Sequence, residues 1–474
     1  MSAATASTST GAPPAPGDIA ARARRFTIYE WGTQRVDPLE IVRGKGVYLY
    51  GSDGREYLDL NSLSMSMNIG HGDERVVRAV ADQMTELACA SPFMATPARA
   101  DVGEMLAAVT PAGLTKAFFT NGGTDANEAA VRTARLVTGR RKILTRRRSY
   151  HGGSLGSLAA SGDPRRWPVE SGVTDVVRIP DPYAYRRALP GEDDAAFLAR
   201  HLAELEEIVE LEGPHTIAAL LVEPITGSNG IIVPPDGWLA GLRALCDRYG
   251  ILLVFDEVMS GFGRTGRWFA CDHEGVAPDI MTVAKGITSG YVPLGACLLS
   301  DDVATAIDDL PFGSGLTYNA HVAALAAARA HLEIYRSDGL IENSATVGAH
   351  LLAGLRALAA RHPSVGDVRG RGLFTVLELV HDPVTKVELF PLVGPTSPVA
   401  DQVRAALVDA GVLASMRGPF LFANPPLIIT TAQVDGALTA LDAALTIADT
   451  ATSAAGAAPP PHSTLPHPAP WRTR

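Results

Sequence analysis

Two short apolar runs, at residues 251–255 and 280–284, constrain this chain more than any other feature. Each has the length of a β-strand and no charged interruption, the pattern of a parallel strand covered on both faces. Each also ends on one chemically useful residue, Asp256 after the first and Lys285 after the second. Ligands of open α/β sheets bind beyond the carboxyl ends of the strands, so both side chains are expected in one crevice. A carboxylate and a lysine converging there fit pyridoxal phosphate (PLP): the amine forms a Schiff base with the aldehyde, and the carboxylate keeps the pyridine nitrogen protonated so that the ring draws off electrons. Taken alone, the pair reads more simply as a turn-capping aspartate and a solvated lysine at a helix start. The neighbouring segments decide between the two.

Composition sets the frame for that decision. The chain has 474 residues, 46% hydrophobic and 19% charged, enough for two or three domains or for one large α/β unit with a smaller satellite. A net charge of −10 without a long basic run argues against nucleic acid as the main partner. The four cysteines (Cys89, Cys246, Cys271 and Cys297) form no CxxC pair and read as buried thiols in a reducing compartment, with no metal site. Residues 1–18 are rich in Ser, Thr, Ala and Pro, and no apolar run approaches a membrane span. A soluble, cytoplasmic protein with no membrane partner is expected. The tails 1–18 and 451–474 are expected to be disordered, and His462 and His467 in the second are read as solvated.

Between the tails, residues 19–74 read as an entry segment with two short strands joined by a turn at Asp53-Gly54, and a helix follows near 74–87. Trp31 and Met65 lie in segments that could wall a pocket, and core or interface packing explains them equally well. The stretch AFFTNGGTDANE at 117–128 reads as strand, glycine loop and helix start. Thr124 is expected as N-cap with Asn127 at N3, and Gly139 as the helix stop. Such a helix start offers free N–H groups and a positive dipole end, so the Gly123 and Thr124 amides and the Thr124 hydroxyl could hold a phosphate. No lysine follows the glycines, which sets the loop apart from the GxxxxGK[ST] nucleotide loop.

Tyr150, at the exit of a strand over 142–144, could stack on a flat ring or be a structural tyrosine. Another buried run, 218–222, stops at Glu223-Pro224, where proline cannot extend a central strand; Glu223 then supports the crevice or is an ordinary ion-pair partner. Thr317, in the loop at 313–318, offers a further hydroxyl or simply opens the helix at 321–335. Alternating strands and helices over 117–300 predict a mostly parallel sheet covered on both sides. From about residue 337 a helix (341–361), a β-type run (372–380) and a last helix (432–447) suggest a smaller α+β domain. The expected division is therefore 19–74 and 337–450 for a discontinuous small domain, and 75–336 for the large one. The chain shows no internal repeats.

These segments together resemble a known family. Asn121 to Asn127, Tyr150-His151-Gly152, Glu223-Pro224, Asp256-Glu257-Val258 with the Gly263–Gly266 turn, and Ala284-Lys285-Gly286 occur in the order and spacing of class III (ω-amino-acid type) PLP aminotransferases, with Asp256 and Lys285 29 positions apart. The similarity spans about 26–448. Several stretches look most like the taurine–pyruvate aminotransferase branch, among them NIGHG at 68–72, GDPRRWP at 162–168 and TSGYVPLG at 288–295. The resemblance implies fold-type I, with a seven-stranded-type sheet between helices in the large domain. It places Gly123, Thr124, Tyr150, Glu223, Asp256, Val258 and Lys285 around the cofactor. It also implies that Thr317 reaches the cofactor phosphate of a neighbouring subunit, hence a homodimer with composite sites, or a tetramer built from it. Members often carry Ser where Thr124 stands, which keeps the hydroxyl.

By the same resemblance Arg417 takes the place of a mobile arginine that grips the acceptor carboxylate. A guanidinium fork suits a carboxylate or a sulfonate, although a surface arginine beyond the Gly411 turn is the plainer reading. Trp31, Met65, Tyr150 and Arg417 are the expected substrate contacts. The expected reaction is a ping-pong transamination from a primary amine or ω-amino acid, taurine-like or β-alanine-like, to a keto acid such as pyruvate, with Lys285 as base and acid. The same residues would serve a decarboxylase, an aminomutase or a racemase, and a PLP-binding regulator without turnover is the remaining alternative.

Overall fold

The computed structural model describes residues 17–31, 34, 38–167, 175–393 and 397–460. At its centre is a seven-stranded sheet: β1 (Leu114–Thr120), β2 (Lys142–Arg146), β3 (Val176–Ile179), β4 (Ile217–Val222), β5 (Leu252–Asp256), β6 (Ile280–Val283) and β7 (Gly295–Ser300). Their spatial order is β1-β7-β6-β5-β4-β2-β3. Strands β2 to β6 are mutually parallel, with β3 at the sheet edge, and β7 runs antiparallel to both β6 and β1. Every residue of β4 and β6 is buried, as a strand packed on both faces requires. Helices α1 (Gly123–Thr138), α2 (Asp194–Glu212), α3 (Trp238–Tyr249) and α4 (Val322–Ser337) alternate with or follow the strands. The two apolar runs thus become neighbouring parallel strands, with Asp256 paired in register with Thr282. Truncating a fully buried side chain such as Phe255 to Ala would cost about 3–5 kcal/mol, enough to disturb the strand that carries Asp256.

Two smaller sheets flank this core. Ile41–Lys45, Tyr48–Gly51 and Glu56–Asp59 form an antiparallel meander, and Val412–Leu413 joins its last strand in parallel, so the two ends of the chain share one sheet. The 48–51 and 56–59 strands flank the expected turn, and 41–45 is a third strand that its polar, weakly alternating sequence concealed. The other sheet is built from Val365–Arg371, Phe374–Asp382, Phe420–Ala423 and Ser415–Arg417. Its aromatic residues Phe374, Phe420 and Phe422 form one apolar cluster with Ile225 and Ile231 of the loop after β4 and with Met65. That cluster brings the strand ending in Arg417 against the carboxyl edge of the central sheet.

Some expectations change. Cys89 is exposed, whereas Cys246, Cys271 and Cys297 are buried free thiols. The chain stays packed beyond residue 450, with Thr452 buried and the Ala451 carbonyl 2.9 Å from His381 Nδ1. Residues 1–16 and 461–474, which include His462 and His467, lie outside the described residues. Among the described residues no helix is long and apolar enough to cross a membrane.

Candidate active site

Asp256 ends β5 and is buried. Its Oδ2 accepts a hydrogen bond from Asn127 Nδ2 at 2.8 Å and lies 2.8 Å from His151 Nδ1, while Oδ1 accepts from the Val258 amide at 3.0 Å. Each of these partners is itself fixed. Asn127 Nδ2 also donates to the His151 carbonyl (2.8 Å), and Asn127 Oδ1 accepts from the Thr282 hydroxyl (2.7 Å) on β6. His151 Nε2 is 3.1 Å from the Thr145 hydroxyl on β2. With Nδ1 donating to Asp256, Nε2 takes the Thr145 proton. Three strands and the N-terminal part of α1 therefore hold one carboxyl group rigidly at the mouth of the sheet, with its hydrogen-bond partners in place.

Lys285 follows β6 on the adjacent strand and opens a 3₁₀ turn, Lys285–Ile287, with φ at 47°. A non-glycine residue in this left-handed region is strained, and such residues concentrate at functional sites. Its Nζ donates to the Ser64 carbonyl at 2.8 Å. Burial lowers the Lys285 ammonium from its ordinary 10.5 to about 8, with the charges of Asp256 and Glu223 opposing the shift and Arg165 and Arg264 adding to it. The amine is thus neither a solvated surface lysine nor locked as a cation.

The glycine loop lies alongside. α1 begins at Gly123 with Gly122 as N-cap and no side-chain cap, so Thr124 is in the first helical turn and is not the expected cap. Its hydroxyl is instead turned to the next loop, where it accepts from the Gly153 amide at 3.2 Å. A Cβ on Gly123 would fall 2.9 Å from the Val258 side chain, and one on Gly152 2.6 Å from the Thr124 hydroxyl. Only Cβ-free backbone lets these three segments approach so closely. The uncapped amides at the start of α1 remain available to an anion. An amine for an aldehyde, a held carboxylate for a ring nitrogen and an uncapped helix start for a phosphate form a donor set that fits pyridoxal phosphate.

Glu223 sits directly beyond β4, buried. Its Oε1 accepts from the Tyr150 amide (3.0 Å) and its Oε2 from the Gly227 amide (2.6 Å), and the buried Arg146 guanidinium donates to its backbone carbonyl (2.8 Å). Burial pushes the Glu223 carboxyl up, against the pull of Arg146 and His151. Glu223 thereby pins the Tyr150 backbone. The Tyr150 ring lies under Arg165, whose guanidinium carbon is 3.8 Å from the ring centroid and 5.3 Å from that of Trp31.

Arg165 Nε and Nη2 donate to Asp163 at 2.9 and 3.0 Å, and Arg417 Nη2 donates to the same carboxylate at 2.7 Å. Arg417 and Tyr150 thus meet at one end of the site, with Trp31 largely exposed at its margin. Met65 is buried in the aromatic cluster behind it, one residue beyond the carbonyl that holds Lys285. Thr317 is exposed on this chain, between the exposed Leu316 and Tyr318.

Sequence reasoning placed Asn127 only as a helix-start residue and passed over His151, Thr282, Asp163 and Arg165 as contacts. The Tyr150-His151-Gly152 motif was visible, but its histidine faces Asp256 only because β2 and β5 are both neighbours of β4. Asp163 and Arg165 stood in the GDPRRWP stretch, where an acid two residues before an arginine gave a local signal for a pair.

Known proteins share this arrangement. A family model for Aminotransferase class-III matches residues 31–445. The taurine–pyruvate aminotransferase of Bilophila wadsworthia is 36% identical over 426 residues, covering 84% of this chain and 90% of the relative. The diaminobutyrate–2-oxoglutarate transaminase of Halomonas elongata is 34% identical over 417 residues, covering 83% and 87%. Among solved structures, the taurine:2-oxoglutarate aminotransferase of Bifidobacterium kashiwanohense, in complex with PLP and glutamate, has a TM-score of 0.88 at 37% identity, covering 91% of this chain and 97% of that one. These similarities do not favour the decarboxylase, aminomutase, racemase or non-catalytic alternatives. With a family match that spans most of its length, the chain belongs to the class III aminotransferases, and it is a fold-type I, PLP-dependent transaminase that passes an amino group from an amine donor to a keto acid.

Proposed function

We propose that this enzyme takes a primary amine carrying an acid group at its far end, taurine-like or β-alanine-like, and uses pyruvate as its acceptor. The observation that carries the reading is the meeting of Arg417 and Tyr150 at the end of a site whose other end is Asp256 and Lys285. A guanidinium fork at that place matches a carboxylate or sulfonate through paired hydrogen bonds. The similarity to taurine-transferring relatives supports the same donor class.

In this reading Lys285 carries the cofactor aldehyde, and Asp256, as a fixed negative charge, keeps the ring nitrogen protonated. The Gly123 and Thr124 amides and the Thr124 hydroxyl hold the phosphate, Val258 and Tyr150 bracket the ring, and Glu223 fixes Tyr150. When bound, pyridoxal phosphate supplies an electron sink for the substrate carbon. Lys285 Nζ, freed by the amine substrate, moves the proton at the reacting carbon in both directions. A group near 8 is poised for that, since it gives up and takes back a proton at little cost near neutral pH. Asn127 and His151 keep Asp256 oriented throughout. Trp31 and Met65 form the apolar wall.

Thr317, exposed beside Leu316 and Tyr318, supports a second copy of the chain as the partner whose phosphate it reaches, hence a homodimer with composite sites. Three buried free thiols support a reducing, cytoplasmic setting. An amine panel run with pyruvate and scored by alanine formation tests the substrate class. Taurine or β-alanine should outrun amines of the same length without an acid group, and preference for the uncharged amines would reject it.

A further inference from the structure

A second polar cavity, of about 440 Å³, lies beside the active site. It borders two stretches of backbone that the site also uses, at Arg147-Arg148 and at Gly162 and Pro164, yet Lys285, Asp256 and Tyr150 do not line it. Asp181, Arg187 and Asn229 complete its polar walls. Three guanidinium groups and one carboxylate thus border a common space, in a chain whose net charge is −10. The acceptors there are incompletely used. Asp181 is 5% exposed, its Oδ1 accepts from the Arg148 amide at 3.1 Å, and among the described residues its Oδ2 accepts no hydrogen bond. Asn229 is 1% exposed; its Nδ2 donates to the Ser149 carbonyl at 3.3 Å, and its Oδ1 is buried without a donor. Both side chains are tied to adjacent backbone groups, so they present two free acceptors near one another. The donors are incompletely used as well. Arg148 Nη1 is buried without a partner, and its Nη2 is 3.7 Å from Glu388. Arg187 meets Glu204 through Nη2 alone, and the exposed Arg147 side chain makes no ion pair among the described residues. Buried groups of this kind are costly to leave unpaired.

We propose that this cavity is a second binding site for a small zwitterion, a molecule with an ammonium at one end and a carboxylate or sulfonate at the other, held apart from the catalytic lysine. The ammonium donates to Asp181 Oδ2 and Asn229 Oδ1, and the acid group accepts from the guanidinium groups of Arg147, Arg148 and Arg187. A simple anion would leave both acceptors unpaired and meet the Asp181 charge, and a simple cation would leave the arginines unpaired. Burial pushes the Asp181 carboxyl up, against the pull of Arg146, Arg148 and Arg187, and an ammonium beside it adds to that pull. The site does not rest on the donor class proposed above, since it needs neither Lys285 nor turnover. An occupant ties the stretch that leads into Tyr150 to the loop after β4 that carries Asn229. An amino acid substrate or product thereby gains a second point of action on the enzyme.

The test uses the holoenzyme after borohydride reduction, in which the cofactor is fixed to its lysine and no amine displaces it. In equilibrium dialysis labelled β-alanine should bind, and propionate and ethylamine, which each keep one of its two charges, should compete about ten-fold or more weakly, roughly the worth of one charge-assisted hydrogen bond. Arg147→Gln, at an exposed position, and Asp181→Asn, which keeps the shape, should each weaken β-alanine by about the same factor. Arg417→Gln, in the catalytic site, should leave that binding in place. Propionate competing as well as β-alanine itself would make the cavity a plain anion site and overturn the proposal. Binding lost in Arg417→Gln but kept in Arg147→Gln and Asp181→Asn would put the ligand in the catalytic site and overturn it too. A crystal of the unaltered reduced holoenzyme with β-alanine gives a reading that does not depend on a variant folding. The molecule should span Asp181 and Arg148, and ordered water alone in the cavity would reject the site.

Discussion

The two ends of the active site are made in different ways. At one end Asp256 and Lys285 project from neighbouring core strands, and Asn127, His151, Thr145 and Thr282 surround the carboxylate with hydrogen bonds between buried groups. At the other, Arg165 and Asp163 come from a short 3₁₀ segment, Arg417 from the edge of a different sheet and Trp31 from the N-terminal segment. The first end holds a fixed charge in a fixed place. The second holds a looser charge cluster, in which Arg417 adds one bond to an Asp163 that Arg165 already grips with two. A transaminase needs both, because its chemical step is the same in each half-reaction while the two substrates differ. Substitutions at the core end should therefore lower turnover for every substrate, and those at the loop end should redistribute it among substrates.

Lys285→Ala should have the largest effect, lowering multiple-turnover alanine formation on the order of 10⁴-fold or more with any donor, as loss of the proton-moving amine implies. Asp256→Asn keeps the shape and removes the charge. It should cost about 10²–10³-fold in kcat for all substrates, the scale of losing a preorganised electrostatic contact, and a loss confined to acid-bearing substrates would blur the distinction between the two ends. Arg417→Gln should raise the KM for pyruvate by about 10–100-fold, as expected for losing a charged hydrogen-bond pair, with butanal, an acceptor without an acid group, hardly affected; steady-state kinetics with both acceptors check this. Thr282→Val leaves Asn127 Oδ1 buried without its donor, so the melting transition should report a loss of about 1–3 kcal/mol together with a modest loss of kcat for all substrates.

The smallest effect lies in acid. Asp163 has a folded value of about 2 against an ordinary 3.8, so its contribution to stability is complete above 3.8 and is lost as pH falls through about 2. The shift corresponds to roughly 2 kcal/mol. Asp163→Asn should flatten the acid end of the stability–pH curve, and an unchanged curve would show that the ion pairs at the loop end carry no linkage.

The contrast between the two ends also explains what could be read from sequence. The placement of Asp256 and Lys285 was legible because a fully buried strand leaves a run without charged residues, and the first charged residue after it marks the sheet edge. α1 was legible from its helical spacing and its stop at Gly139, where φ is 65°. The direction of β7 was not, since a short apolar run carries no polarity and its reversal depends on pairing with β1 as well as β6. The Thr124 cap was misplaced because a threonine hydroxyl satisfies a neighbouring loop as readily as its own helix, and here the Gly153 amide claims it. His151 and Thr282 gave no signal as partners of one another's neighbours, since the hydrogen bonds that join them through Asn127 and Asp256 span 105 to 155 residues. The Arg417–Asp163 bond spans 254, and only the folding of the third sheet onto the loop after β4 creates it.

The central claim is that one lysine, at the end of one core strand, is the cofactor's anchor beside the carboxylate of the next. Reduction of the PLP-loaded enzyme with borohydride, followed by peptide mass mapping, tests it most directly. The label should be found on Lys285 alone, and its capture by apoprotein should rise with pH around a midpoint near 8, where the amine loses its proton. A label on another lysine, or none, would contradict the account.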